Sequence, residues 1–231
     1  MTEVLTIPNH IGFILDGNRR WAKKYGLPVY EGHMAGYNAV QEVIRAAFEQ
    51  GVHFVSVYAF STENWKRSQD EVNKIMSLML KLLMSDLHIF IENNIKLVII
   101  GSRDGVDKKI LESIDSAESA TAHNTAGTLA VCFNYGGQLE IADAVKNIIK
   151  TGAKADDITP ELISQNIYAP EIPPIDIVVR TSGEQRLSNF MLWRVAYSEM
   201  MFIDKLWPDM KVADVTDIIK EFSKRSRRFG G

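Results

Sequence analysis

The chain has 231 residues, 46% of them hydrophobic, and a formal net charge of −3. That is long enough for one large domain or two small ones with a substantial core, and the acidic balance argues against a nucleic-acid binder. The single cysteine, Cys132, excludes an intrachain disulfide and fits a reducing cytosol, and no stretch approaches the ~20 apolar residues of a membrane span.

The opening "MTEVLTIPNH" has neither a basic nor a long apolar region, so no secretory signal is expected. "HIGFIL" reads as a buried strand. "HMAGYNAVQEVIRAAFEQG" reads as a helix with Gly51 just past its end. "FVSVYAF" is a second strand. "SQDEVNKIMSLMLKLLMSDLHIFIENN" reads as one long helix with Ser68 as N-cap and Glu71 at the capping-box spacing. "IKLVIIG" is a third strand, followed by a helix near 107–122. "TLAVCFNYG" is a fourth strand, and "QLEIADAVKNIIK" the helix after it. "IDIVVRTSG" is a fifth strand, "MMFI" marks a sixth, and "VADVTDIIKEFSKRSRR" is a closing helix. Strands alternating with helices predict a single α/β domain over 1–231. Its core is a mostly parallel sheet of about six strands with helices on both faces.

In such sheets ligands bind beyond the carboxyl ends of the strands. The polar clusters fall there: "DGNRRW", "STENWKR", "NYGG" and "RTSGEQRLSN" each follow a strand. Arg19, Arg20, Arg67, Arg180 and Arg186 all lie in these loops, and guanidinium groups bind phosphate oxygens in pairs. Several together suggest more than one phosphate. Asp16 reads either as a helix N-cap or as a ligand for Mg²⁺, which takes one or two carboxylates plus substrate phosphates. Glu199 is a candidate second carboxylate. Asn18, Ser61, Thr62, Asn64 and Ser188 add neutral hydrogen-bonding groups, and Gly17, Gly136, Gly137 and Gly183 permit close backbone approach to an anion. His33 reads as a ring at a helix start able to donate to a phosphate, and Trp21 and Trp65 as walls of the pocket or core packing.

No G-x-x-x-x-G-K-[ST], G-x-G-x-x-G, H-E-x-x-H or G-x-S-x-G pattern occurs, and Asp156-Asp157 does not extend to an aspartate-rich box. The long helix carries more apolar surface than a one-sided helix needs. It is either buried on two sides or lines an elongated cavity, where flexible Met side chains suit a lipid chain. Phosphate clamps beside an apolar groove point to a lipid diphosphate.

The motifs "HIGFILDGNRRWA", "GHMAG", "YAFSTENWKR", "FNYGG", "DIVVRTSGEQRLSNFMLWRVAYSEMMF", "LWPD" and "RRFGG" resemble those of cis-prenyltransferases, most closely bacterial undecaprenyl diphosphate synthases, from His10 to Gly231. The resemblance implies a homodimeric, Mg²⁺-dependent enzyme with an apolar tunnel between sheet and helices. It would add isopentenyl diphosphate to farnesyl diphosphate with Z geometry, giving undecaprenyl diphosphate for a cell-wall lipid carrier. It would act in the cytoplasm or at the membrane surface and pass its product to the membrane. By the same resemblance Asp16 is the essential carboxylate and metal ligand, and Gly17, Asn18, Arg19 and Arg20 hold the allylic diphosphate with Trp21, His33 and Arg67 nearby. Ser61, Thr62 and Glu63 form a mobile loop, with Asn64 the proton acceptor beside Trp65. Arg180, Arg186, Leu187 and Ser188 match the isopentenyl diphosphate site, Glu199 a second metal ligand, and Arg228 and Gly230 a motif reaching the partner's site. Asn64 is chemically weak as a base, which leaves Asp16 or a substrate phosphate to take the proton. Val29 stands where many relatives carry an arginine, Arg19 where some carry glycine, and Ser68 where proline is common. A short- or medium-chain synthase and a catalytically silent lipid-binding partner subunit are the alternative readings.

Overall fold

The computed structural model describes residues 5–225. Its β-branched runs form six strands, interleaved with helices in chain order. These are β1 (His10–Ile14), α1 (Asn18–Lys24), α2 (Val29–Glu49), β2 (Phe54–Ser61), α3 (Gln69–Leu80), α4 (Leu87–Glu92) and β3 (Ile95–Ile100). Then come α5 (Lys108–Thr121), β4 (Gly127–Tyr135), α6 (Gly137–Lys150), α7 (Pro160–Asn166), β5 (Ile177–Arg180), β6 (Glu199–Phe202) and α8 (Val212–Lys224). The strands make one sheet in the order β3-β4-β2-β1-β5-β6, and every neighbouring pair is parallel.

Strand periodicity of two sends alternate side chains to opposite faces. Ile11, Phe13, Val55, Val57, Leu129 and Val131 pack under α2, α3, α5 and α8. Val98, Ile100, Ala130, Cys132 and Val178 pack on the other face against Ile172, Ile175, Phe190 and Val195. Each such large side chain taken from water contributes on the order of 2 kcal/mol. Register puts Ile14 of β1 level with Tyr58 of β2 and Arg180 of β5. Three strands thus deliver their carboxyl ends to one place, at the centre of the sheet.

Some predicted boundaries move. The helix expected from His33 begins at Val29, behind the fixed φ of Pro28, so His33 lies a turn inside α2. Ser68 caps α3 as predicted and accepts from the Glu71 N–H, and Gly51 adopts φ +91° just past α2. The single long helix over 68–94 is broken: α3 gives way to a π-helical turn, Lys81–Ser85, and then α4. α1 and α7 were not anticipated. α8 ends at Lys224, and the predicted continuation of that helix past 225, with Arg228 and Gly230, lies outside the described residues.

Candidate active site

Asp16 leaves β1 two residues past its last paired position. Its backbone is fastened on both sides: the Asp16 carbonyl accepts from the Trp207 N–H at 3.0 Å and from the Thr181 hydroxyl at 2.6 Å. The N-cap position of α1 is taken by Gly17, with no side-chain cap, so the Asp16 carboxylate does not cap that helix. Instead its Oδ2 accepts from Arg180 Nε at 2.8 Å and NH2 at 2.6 Å. Arg180 is almost wholly buried, while the Asp16 side chain keeps about a third of its surface. The other Arg180 nitrogen, NH1, donates to the Ser188 hydroxyl at 2.8 Å and to the Arg186 carbonyl. One guanidinium therefore joins the end of β1 to the loop after β5.

Gly17 has φ +121°, and a Cβ there would stand 2.5 Å from Ser182 Oγ and 3.0 Å from the Leu206 backbone, so no side chain fits. Asn18 Oδ1 is pressed against Gly36, and neither it nor Ser182 Oγ has a hydrogen-bond partner among the described residues. Arg20 donates to the Ser182 carbonyl at 3.0 Å and pairs with Glu184 at 3.1 Å. Arg186 pairs with Glu184 as well.

The turn after β2 is a 3₁₀ segment, Thr62–Lys66. Asn64 Oδ1 accepts the Ser61 N–H at 3.1 Å, which closes the turn. Asn189 Nδ2 donates to Glu63 at 3.1 Å. Burial alone would raise the Glu63 carboxyl, but its own N–H, Ser61, Asn189 and Thr62 outweigh that and hold it below its ordinary value. Trp65 donates to Asn134 at 2.8 Å and Trp21 to Asp209 at 2.8 Å, so both indoles are fixed. Glu71 Oε1 faces both His33 Nε2 at 3.1 Å and Arg67 NH1 at 2.9 Å. Burial would raise the Glu71 carboxyl, yet the His33 bond and the charges of Arg67 and Arg19 hold it low. Burial also pulls the His33 ring below its usual range, against the opposing effect of Glu71.

These groups surround one cavity of about 1250 Å³ between the sheet and α2–α3. Asp16, Gly17, Asn18, Arg19 and Arg20 line its mouth with His33, Ser61, Glu63, Asn64 and Arg67, and Arg180, Arg186 and Ser188 close it from the β5 side. All five loop arginines thus meet. The inner end is apolar: Ile75, Leu78, Met79 and Leu82 present one helical face, opposite Val57, Leu129 and Val131 from the sheet. Trp21, Thr62, Trp65 and Leu187 are not part of this lining. The sequence reading passed over Glu71 and Asn189, although Glu71 already stood in the capping-box position.

Glu199 lies elsewhere. It opens β6 level with Ile177 and pairs with Arg225 at 3.1 Å. Asp16 follows the opposite end of the sheet, roughly 16 Å further along the strand direction at ~3.3 Å per residue. The two carboxylates do not meet within one chain. Among the described residues no group of three or more His, Cys, Asp or Glu side chains could hold a metal alone. Asp16 by itself fits Mg²⁺ shared with a diphosphate: both Arg180 bonds fall on Oδ2, and the partly exposed carboxylate borders the cavity beside five guanidiniums.

The loop from Thr181 to Ser198 is held from the other face of the sheet. It contains left-handed backbone at Ser182, Gly183, Ser188, Asn189 and Met191. Buried Arg194 donates to Glu140 at 2.9 Å and to the carbonyls of Ala169 and Ile172, and Tyr135 donates to the other Glu140 oxygen at 2.6 Å.

A family model described as "Putative undecaprenyl diphosphate synthase" matches residues 14–230. An isoprenyl transferase of Thermotoga maritima is 41% identical over 229 residues, 98% of each chain. One from Fusobacterium nucleatum is 44% identical over 225 residues, 97% of this chain and 96% of that one. The crystal structure of lavandulyl diphosphate synthase from Lavandula x intermedia in complex with dimethylallyl diphosphate superposes with a TM-score of 0.93 at 32% identity, over 97% of this chain and 99% of that one. The structure of "a probable undecaprenyl diphosphate synthase" from Campylobacter jejuni does so with a TM-score of 0.82 at 32% identity over the whole of both chains.

Proposed function

Because the chain belongs to the undecaprenyl diphosphate synthase family of prenyltransferases, we propose that it condenses isopentenyl diphosphate repeatedly with an allylic diphosphate, farnesyl diphosphate, to build a Z-polyprenyl diphosphate. The supporting observation is one cavity with five arginines and Asp16 at one end and the Ile75, Leu78, Met79 and Leu82 face at the other. An amphiphile with a diphosphate head is what such a surface binds.

Bond formation needs the allylic carbon–oxygen bond to stretch towards a cation while diphosphate departs. Arg20 and Arg67, held by Ser182, Glu184 and Glu71, stand with Arg19 beside that growing negative charge, so the field of the two held guanidiniums costs little reorganisation at the moment of reaction. Arg180, Arg186 and Ser188 hold the second diphosphate, which aligns its double bond with the allylic carbon and removes much of the entropic barrier. Mg²⁺ on Asp16 would add charge neutralisation at the diphosphate oxygens. The proton lost from the condensed product goes to Asp16 or a diphosphate oxygen. Asn64 positions groups, since its carbonyl oxygen is occupied by the Ser61 N–H and a carboxamide is hardly basic.

The reading includes a homodimer in the cytoplasm or at the membrane surface, with undecaprenyl diphosphate as the lipid handed on for cell-wall synthesis. Among the described residues no helix is long and apolar enough to cross a membrane, and β6, the sheet edge, leaves Met200 exposed. A shorter product is the second reading. One observation favours it: Tyr37, Val40 and Leu82 line both this cavity and a smaller one beside it, and so stand between the two.

The test is to incubate the protein with farnesyl diphosphate, excess isopentenyl diphosphate and Mg²⁺ and to size the lipids by mass spectrometry. A ladder of five-carbon steps that vanishes in Asp16→Ala is expected. A silent wild type with farnesyl, geranyl and dimethylallyl primers would overturn the enzymatic reading.

A further inference from the structure

The "FNYGG" stretch has no task in the chemistry at Asp16. The sequence predicts close approach to an anion at Gly136 and Gly137, but neither glycine lines the cavity. What comes close to them is protein. A Cβ on Gly136 would stand 2.9 Å from both Asn189 Nδ2 and Thr62 Oγ1, and one on Gly137 would stand 3.0 Å from the Asn189 carbonyl oxygen. Asn189, in left-handed backbone at φ +67°, is bound from three sides. Its carbonyl accepts the Gly137 N–H at 2.8 Å, its Oδ1 accepts the Gln138 N–H at 2.8 Å, and its Nδ2 donates to Glu63 Oε1 at 3.1 Å. The amide cannot be turned round, because a backbone N–H only donates and an ionised carboxylate only accepts. The bond from Asn189 is among those that hold Glu63 ionised.

We propose that Asn189 is a positioning residue for the condensation: it locks the Thr62–Lys66 turn to the loop that carries Arg186 and Ser188, so that both sides of the cavity mouth are set together. This rests on the reading of that loop as the holder of the second diphosphate. Asn189 follows Ser188 directly, and the Ser188 hydroxyl accepts from Arg180, which grips Asp16. Glu63 stands between Ser61 and Asn64, whose mutual bond closes the turn. Asn189 and Glu63 both border the cavity. One carboxamide thus spans from the loop after β5 to the turn after β2, while the start of α6 holds it from behind. Asparagine offers an acceptor and a donor on one short stem. Aspartate would keep the Gln138 bond and set a second carboxylate against Glu63.

The experiment follows Asn189→Asp, Glu63→Gln and the double variant, each in the full chain. In Asn189→Asp, kcat/KM for isopentenyl diphosphate is expected to fall roughly tenfold, the equivalent of one lost hydrogen bond. KM for farnesyl diphosphate should hold, because Arg67 keeps its bond to Glu71. In the Glu63→Gln background the same substitution should cost little: the new amide donates to the new carboxylate, and the bond is restored with its polarity reversed. An undiminished loss in that background overturns the proposal, as do wild-type kinetics in Asn189→Asp. A second measurement needs no turnover: hydrogen exchange of the unliganded protein. Amides of residues 62–66 should exchange faster in Asn189→Asp and slow again in the double variant. The first amides of α6 should not change, since the Gln138 N–H keeps its acceptor. Faster exchange in α6 with none in the turn marks a helix cap only and overturns the lock. A rise and reversal in the turn of a protein that makes no polyprenyl product leaves the lock standing and sinks the enzymatic reading.

Discussion

Arg180 carries more connections in the site than any other single side chain. Its Nε and NH2 grip Asp16 while NH1 holds Ser188 and the Arg186 carbonyl. A lysine at this position keeps the charge and loses the planar fork, so it cannot bridge both partners. Arg180→Lys is expected to lower kcat/KM by roughly 10²- to 10³-fold, the usual cost of a lost oriented donor, with the fold retained by circular dichroism. Steady-state kinetics with both substrates varied will show it. An arginine ending a strand before "TSG" was visible in the sequence, and so was the Asp16 turn. The partner of Arg180 was not, because the pairing depends on β1 and β5 being neighbours, a fact of topology that no local pattern carries. Glu199 shows the same dependence on topology. It stands in the right motif and at the opposite end of the sheet from Asp16, and a motif does not say at which end of a strand a residue falls.

At the scale of elements, the buried pair of Arg194 and Glu140 is the most consequential. Removing one member strands the other charge in the interior, at a cost of about 3–5 kcal/mol, whereas replacing both by apolar groups is often neutral. Arg194→Ala should therefore lower unfolding stability by that amount in urea titrations, and the double variant Arg194→Met with Glu140→Leu should recover only part of it, because the Ala169 and Ile172 carbonyls and the Tyr135 hydroxyl lose their partners too. The strands were legible because β-branched runs bounded by turn residues have little alternative. α7 was legible in principle: Thr159 caps it and Pro160 occupies its first position. The π-helical break was not. "LMLKLLMSDLHIF" contains no Gly or Pro, and its apolar periodicity runs on unbroken; the turn is stabilised from outside, by the bonds of Tyr37 and Gln41 to Asp86. α1 is short and polar, and it persists through tertiary contacts such as Trp21 to Asp209 and the packing of α1 on α2 rather than through propensity.

The whole molecule has a built-in acid sensitivity away from the cavity. His10 is fully buried; its Nδ1 faces the Pro173 carbonyl at 2.9 Å and its Nε2 the Ser56 hydroxyl at 2.7 Å. Nδ1–H thus donates and Nε2 accepts, which is the neutral ring. Burial lowers its pKa from 6.5 to about 4, overriding the Pro173 bond. Because the folded value is the lower one, the unfolded chain takes the proton first. Stability from this group is complete above about pH 6.5, is lost as pH falls towards 4, and changes no further below that. The loss amounts to about 3 kcal/mol at ~1.4 kcal/mol per unit. Chemical denaturation across this pH range should show it, and His10→Gln, which can make both bonds without titrating, should flatten that part of the curve. Another consequence at this scale comes from the loop after β5. Left-handed backbone at Ser182, Ser188, Asn189 and Met191 persists only where surroundings over-determine it, and a principal restraint here is Arg194, on the far face of the sheet from the main cavity. Tolerance to mutation and catalytic competence therefore part company. The chain has a second set of vulnerable residues, remote from the cavity lining, whose loss spares the cavity walls and still disassembles its mouth.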